Sequence, residues 1–197
     1  MRRMRNVDAA ILAGGRGERL GGQPKGLLEI GGRTVIARQI EVLSPLVREV
    51  LLVGGDAYAD VAGVRRVADR QPGRGPLAGL EAAFVASDAD ALIVVGCDLP
   101  FLDAGLLTLL RDHAPAAQAV VPRVDSRPQA LHARYGRAAL PHVQARLQRG
   151  DLRLLGLLDD LDPAWLDEPA LRAIDPTLRG LTNVNTPAEL DAARRQA

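Results

Sequence analysis

Three short apolar runs recur along the chain, at residues 9–13, 49–53 and 91–95, and each is followed directly by a glycine. None shows the in-and-out alternation of a sheet with one wet face. Both faces of each strand are therefore expected to be covered, which is the pattern of a parallel sheet. Segments of helical period lie between them. Val35, Ile36, Ile40 and Leu43 form one stripe of a helix over residues 35–43, and Leu77, Leu80, Ala83 and Phe84 form another over 77–85. Asp103 is placed to cap a helix running to Arg111, with short strands expected at 118–121 and 65–68.

Beyond Pro122 the pattern is less regular. It predicts a strand at 129–135, helices at 138–148 and 152–158, and an acidic loop over 159–169. A last helix at 188–195 is opened by Pro187 behind a Thr186 cap. Alternating strands and helices with right-handed crossovers predict an α/β fold: a three-layer α/β/α, Rossmann-like, doubly wound and mostly parallel sheet, with residues 1–197 as a single domain. Such sheets bind ligands outside the carboxyl ends of their strands, so chemistry is expected just after Ala13, Val53 and Val95.

Composition narrows the partners. At 197 residues and 47% apolar, the chain can bury a substantial core. Its 25 basic and 24 acidic side chains leave a net charge of +1, so no global field holds a nucleic acid or an anionic membrane. Aromatic residues are only 3%, too few for stacking platforms along single-stranded nucleic acid. No apolar run approaches the ~20 residues of a membrane span. The basic start is followed by an apolar stretch that breaks at Gly14-Gly15, short of a signal peptide. One cysteine makes no internal disulfide, and no Cys/His group has zinc-ligand spacing; a cytoplasmic location is expected.

The first predicted strand runs into Gly14-Gly15-Arg16-Gly17-Glu18-Arg19-Leu20-Gly21-Gly22-Gln23-Pro24-Lys25. Glycines let backbone N–H groups approach phosphate oxygens, and Arg16, Arg19 and Lys25 supply positive charge. The loop is not a Walker A motif, because no Gly-Lys-Ser/Thr has the required spacing. Nor is it a dinucleotide fingerprint, since Leu20 takes the third-glycine position. Phosphate binding at the sheet rim is the reading that remains, against a solvated surface turn.

The segments Leu12-Ala13-Gly14-Gly15, Arg19, Gly21-Gly22 and Lys25-Gly26-Leu27-Leu28 resemble the opening signature of the MobA-like nucleotidyltransferases, and within them the molybdenum cofactor guanylyltransferases. The resemblance continues through Gly75-Pro76-Leu77-Ala78-Gly79-Leu80 and Cys97-Asp98-Leu99-Pro100-Phe101-Leu102 to Asn183-Val184-Asn185-Thr186-Pro187, in the family's order. It implies a nucleotide-diphospho-sugar transferase type of fold. It also implies transfer of GMP from GTP to the terminal phosphate of Mo-molybdopterin, with release of diphosphate and with Mg²⁺ as cofactor. Recipient molybdoenzymes and other cofactor-biosynthesis proteins are the implied macromolecular partners.

Asp98 follows a buried strand and Gly96, so its carboxylate is expected at the sheet rim beside the phosphates. Magnesium would relieve that repulsion, because it combines few carboxylates with phosphate oxygens and water; a helix cap is the other reading of Asp98. Asp69, at the end of the short strand, is a second rim carboxylate or a turn residue. The resemblance gives Leu12, Ala13, Gly14, Gly15, Lys25, Asp69 and Asp98 to the nucleotide, and Arg19, Lys25 and Asp98 to catalysis. Asp98 would hold the metal, and Asn185 would stand on the acceptor side. Without the resemblance, Asn185 reads as a helix cap.

His113, His132 and His142 share no spacing and none is expected to be catalytic. Cys97 reads as a small buried residue and Trp165 as cover for the core edge, while Arg123, Arg127 and Arg134 are open either to an acceptor phosphate or to solvent. Two positions depart from the family pattern. Pro24 stands where guanylyltransferases usually carry Asp, as in sugar-1-phosphate nucleotidylyltransferases, and Leu51-Leu52-Val53-Gly54 lacks an asparagine. Transfer of CMP or of a sugar nucleotide, and a nucleotide-binding module without turnover, are the rival readings.

Overall fold

The computed structural model describes residues 6–14, 22–71 and 73–196. In chain order the strands are β1 (Val7–Ala13), β2 (Glu29–Ile30), β3 (Arg33–Thr34), β4 (Val50–Gly54), β5 (Arg65–Val67), β6 (Ala91–Gly96), β7 (Ala119–Val124), β8 (Arg127–Pro128), β9 (His132–Gly136) and β10 (Ala164–Asp167). The α-helices are α1 (Val35–Leu43), α2 (Gly75–Ala86), α3 (Ala104–Asp112), α4 (Leu140–Arg149), α5 (Leu154–Leu161), α6 (Glu168–Arg172) and α7 (Pro187–Arg195). The main sheet runs β10-β7-β9-β6-β1-β4-β5, with β8 paired to β7 and a separate β2-β3 hairpin. Every neighbouring pair along that path is parallel except those made by β9, which lies antiparallel to both β6 and β7.

Apolar runs without alternation do end up covered on both sides. Ala10 and Leu12 of β1, Leu51 and Val53 of β4, and Leu92 and Val94 of β6 face a core shared with α2, α4 and α5. Their neighbours Ala9 and Ile11, Val50 and Leu52, and Ile93 and Val95 face the opposite core, against Ile36 and Leu43 of α1 and Leu106, Leu107 and Leu110 of α3. The fold is the mostly parallel α/β/α sandwich that the pattern predicts. A third, smaller cluster joins Leu28, Ile30 and Val35 to Val184, Leu190 and Ala193, fastening α7 against the β2-β3 hairpin.

The expected caps are present. The Asp103 carboxylate accepts a 2.8 Å bond from Leu106 N–H, and Thr186 forms a reciprocal capping box with Glu189. Three expectations need correction. Residues 159–169 are not a loop: α5 continues to Leu161, Asp162 turns with φ 44°, and β10 and α6 follow. Leu157, Leu158 and Leu161 carry the helix one turn further because all three are buried, and Leu166 then packs beneath the sheet while Trp165 stays on the α5 side. The strand expected at 129–135 starts only at His132, since residues before it turn back from the β7-β8 hairpin. Arg134 meets neither solvent nor a phosphate. It is fully buried and donates to the carbonyls of Leu110, His113 and Ala114, satisfying the end of α3.

Candidate active site

The carboxyl ends of β1, β4 and β6 open on one rim, and three loops meet there. The first includes, in its described part, a one-turn helix, Lys25–Leu27, that leads into the β2-β3 hairpin, and its Leu27 N–H donates to the Pro24 carbonyl at 2.9 Å. Pro24 fits this turn, because its φ of −60° is the angle that its own ring imposes. The second loop carries Cys97 and Asp98 directly off β6, and Cys97 N–H donates to the Leu12 carbonyl at 3.3 Å, tying it to β1. The third arrives from the far end of the sequence: Val184 N–H donates to the Asp98 carbonyl at 2.8 Å, so Asn185 is delivered beside the aspartate.

These backbone ties bring three side chains together. Lys25 Nζ lies 2.5 Å from Asn185 Oδ1 and 3.5 Å from Asp98 Oδ2. The lysine is 26% and the aspartate 20% exposed, sheltered enough for strong electrostatics yet open to a ligand. Asn185 is therefore more than a cap: its backbone N–H serves the Glu189 carboxylate while its side chain faces Lys25.

The other sequence-derived candidates divide. Leu12 and Ala13 are buried, and Leu12 packs against α2, where a Cβ on Gly79 would lie 3.3 Å from its side chain. They belong to the cores beneath the rim, and Gly14 is exposed beyond them. Gly15 and Arg19 fall outside the described residues. Asp69 closes a turn by accepting from Gln71 N–H at 2.9 Å, and among the described residues no contact joins it to the Lys25 cluster.

Two supporting residues were not anticipated. Gln39, fully buried on α1, donates to the carbonyls of Gly96 and Leu99 at 2.7 and 3.0 Å, straddling Asp98. A lone glutamine within an otherwise apolar helix stripe was the available signal. Tyr58, at the end of a short turn after β4, accepts from Gly26 N–H at 3.3 Å, and nothing local in the sequence marks it. Burial, and next the charge of Asp98, pushes the Cys97 thiol up to about 11, so Cys97 stays a neutral packing group.

Alongside Asp98 a cavity of about 860 Å³ extends over the α5 side of the sheet. Its walls include Pro76, Leu131, Leu154, Leu158 and Trp165, together with the polar Asp98, Asn183, Arg153 and Asp159. Its size and lining suit a small organic ligand. Trp165 packs on the core edge as expected and also borders this space, with the Arg123 guanidinium 5.0 Å from its ring. No helix of the described residues is long and apolar enough to cross a membrane.

The chain matches the MobA-like NTP transferase domain over residues 9–164. It belongs to that family. This MobA-like transferase is 32% identical to a probable molybdenum cofactor guanylyltransferase of Pelotomaculum thermopropionicum, across 98% of its own length and 95% of the relative's. It is 35% identical to a probable molybdenum cofactor guanylyltransferase of Chloroflexus aggregans, across 93% and 91%. Its fold matches the crystal structure of molybdopterin-guanine dinucleotide biosynthesis protein A from Archaeoglobus fulgidus with a TM-score of 0.84 at 26% identity, over 96% and 97% of the two chains. A 2-C-methyl-D-erythritol 4-phosphate cytidylyltransferase from Thermus thermophilus shares the fold at a TM-score of 0.71 and 19% identity, over 98% of each chain. The MobA-like protein is thus a nucleotidyltransferase.

Proposed function

We propose that this protein transfers GMP from GTP to the terminal phosphate of Mo-molybdopterin, giving the guanine dinucleotide form of the cofactor and diphosphate. The observation that carries the reading is the meeting of Lys25, Asp98 and Asn185 at the mouth of an apolar cavity, at the sheet rim where a glycine-rich loop begins. An acceptor phosphate oxygen attacks the α-phosphorus of GTP, and the bond to the β-phosphate oxygen breaks. A phosphate monoester has a second pKa of about 6, so the nucleophile is already anionic at neutral pH and needs no strong base. The difficulty is accumulated negative charge, which positioning and electrostatics relieve.

Lys25, with Arg19, is assigned to the triphosphate. The ammonium now between Asp98 and Asn185 would turn to the phosphate oxygens, and Leu12, Ala13, Gly14 and Gly15 would line the nucleotide. Asp69 is proposed to reach the guanine side from the adjoining rim. The oxygen donors of Asp98 and Asn185 suit a hard divalent cation such as Mg²⁺, which shares its coordination with phosphates and water. Bound there, magnesium would neutralise the triphosphate. The cavity beyond Asp98 takes the pterin end of the acceptor. In this reading the enzyme acts in the cytoplasm and hands its product to a molybdoenzyme.

Diphosphate release, measured with GTP or CTP in turn and with Mo-molybdopterin present or absent, tests the proposal. GTP with acceptor should be the productive pair. Faster turnover with CTP would favour the cytidylyl reading, and nucleotide binding without diphosphate would reduce the protein to a carrier.

A further inference from the structure

Lys25 and Asp98 leave the sheet on different strands, seventy-odd residues apart, and their separation must be fixed by something between them. The Tyr58 side chain lies against Gly26, in the same core cluster as Cys97. It is 4% exposed and sits in the core beneath the rim, delivered there by the turn that follows β4. Its hydroxyl accepts the 3.3 Å bond from the N–H of Gly26, the residue after Lys25. The same ring lies in one core cluster with Cys97, the residue before Asp98. The three groups are tightly packed: a Cβ on Gly26 would lie 2.9 Å from Tyr58 Cε1 and 3.5 Å from Cys97 Cβ. A larger residue at 26 must push the ring away, which accounts for glycine directly after the lysine. Gln39 braces the Asp98 turn alone, from α1; Tyr58 bonds the Lys25 loop at Gly26 and shares a core cluster with Cys97 of the Asp98 loop.

We propose that Tyr58 is a positioning residue whose hydroxyl sets the distance between Lys25 and Asp98 by holding Gly26 in place against Cys97. The inference rests on the assignment of Lys25 and Asp98 to the nucleotide. Tyr58→Phe keeps the ring in the core and removes only the hydroxyl, leaving the buried Gly26 N–H without its acceptor. The loop then relaxes and Lys25 is no longer held in register.

The test is a double-mutant cycle on the full chain, with magnesium-nucleotide affinity by calorimetry and diphosphate release as paired readouts. The nucleotide is whichever of GTP or CTP the wild type binds. Tyr58→Phe should weaken binding or turnover by roughly threefold to tenfold, as for one lost hydrogen bond. On a Lys25→Ala background the same change should cost almost nothing, because the group being positioned is gone. Gly26→Ala, which displaces the ring, should reproduce the Tyr58→Phe deficit. A Tyr58→Phe protein as active as wild type overturns the proposal, as does a full additional loss on the Lys25→Ala background, which a merely structural role would give. If the wild type binds nucleotide but transfers nothing to the acceptor, the proposed function falls while the binding cycle still decides the role of Tyr58.

Discussion

Burial strips His132 of water, and among the described residues neither ring nitrogen meets a hydrogen-bond partner. Desolvation therefore pushes its pKa down to about 4. Above pH 6.5 the ring is neutral in both folded and unfolded chains. As the pH falls further, the unfolded chain takes up the proton and the folded one does not until about 4. Stability is thus complete at neutral pH and is lost between those limits, by about 1.4 kcal/mol per pH unit at the steepest. Thermal melts from pH 7 to pH 4 should show this slope in the wild type, and His132→Leu should flatten it without loss of stability at pH 7. At the rim, by contrast, single side chains should matter to chemistry and little to folding. Lys25→Ala and Asp98→Ala should each lower turnover by roughly 10²–10³, typical for a preorganised charge contact, with melting temperatures near wild type. Full diphosphate release by either variant would remove that residue from the site.

Elements carry the site only because polar groups pin their ends. Gln39 shows how: α1 is amphipathic and this position is fully buried, yet it carries a side-chain amide that holds two carbonyls of the turn bearing Asp98. Gln39→Leu should cost about 2 kcal/mol in denaturant unfolding, because those buried carbonyls lose their donor. It should also lower turnover more than it raises the KM for GTP. The apolar period of residues 35–43 made α1 readable to the residue, and Asp103 and Thr186 marked the starts of α3 and α7 through their side-chain chemistry. The rim followed from the strand pattern, and so did the meeting of Lys25 with Asp98. What stayed hidden depended on partners distant in sequence. β10 is four residues long and has no periodicity of its own, and becomes a strand by lying beside β7. Arg134 looked free because its partners, the carbonyls at the end of α3, exist only in the folded chain.

At the scale of the molecule the two cores are separate solutions to one problem, and the site uses the difference. The α1 and α3 side is closed by Leu99, Leu102 and Leu106 beneath the Asp98 turn, whereas the α5 side is open as the cavity. A nucleotide held at Lys25 and an acceptor held in that cavity would approach Asp98 from different directions, as an in-line displacement requires. Trp165 makes this arrangement measurable, since it is the only tryptophan in the chain and borders the cavity beside Asp98. Arg123 lies over its ring and is anchored by a 2.8 Å bond to Asp167, so the indole is braced before any ligand arrives. Titration with a free pterin should quench Trp165 fluorescence, while magnesium-GTP alone should leave it nearly unchanged. Trp165→Ala should raise the KM for the molybdopterin acceptor by about fivefold to tenfold, the loss expected of one aromatic contact, and leave the KM for GTP as it was. Quenching by GTP, or an equal rise in both KM values, would mean that nucleotide and acceptor share one side of the sheet and that the cavity has been assigned to the wrong substrate.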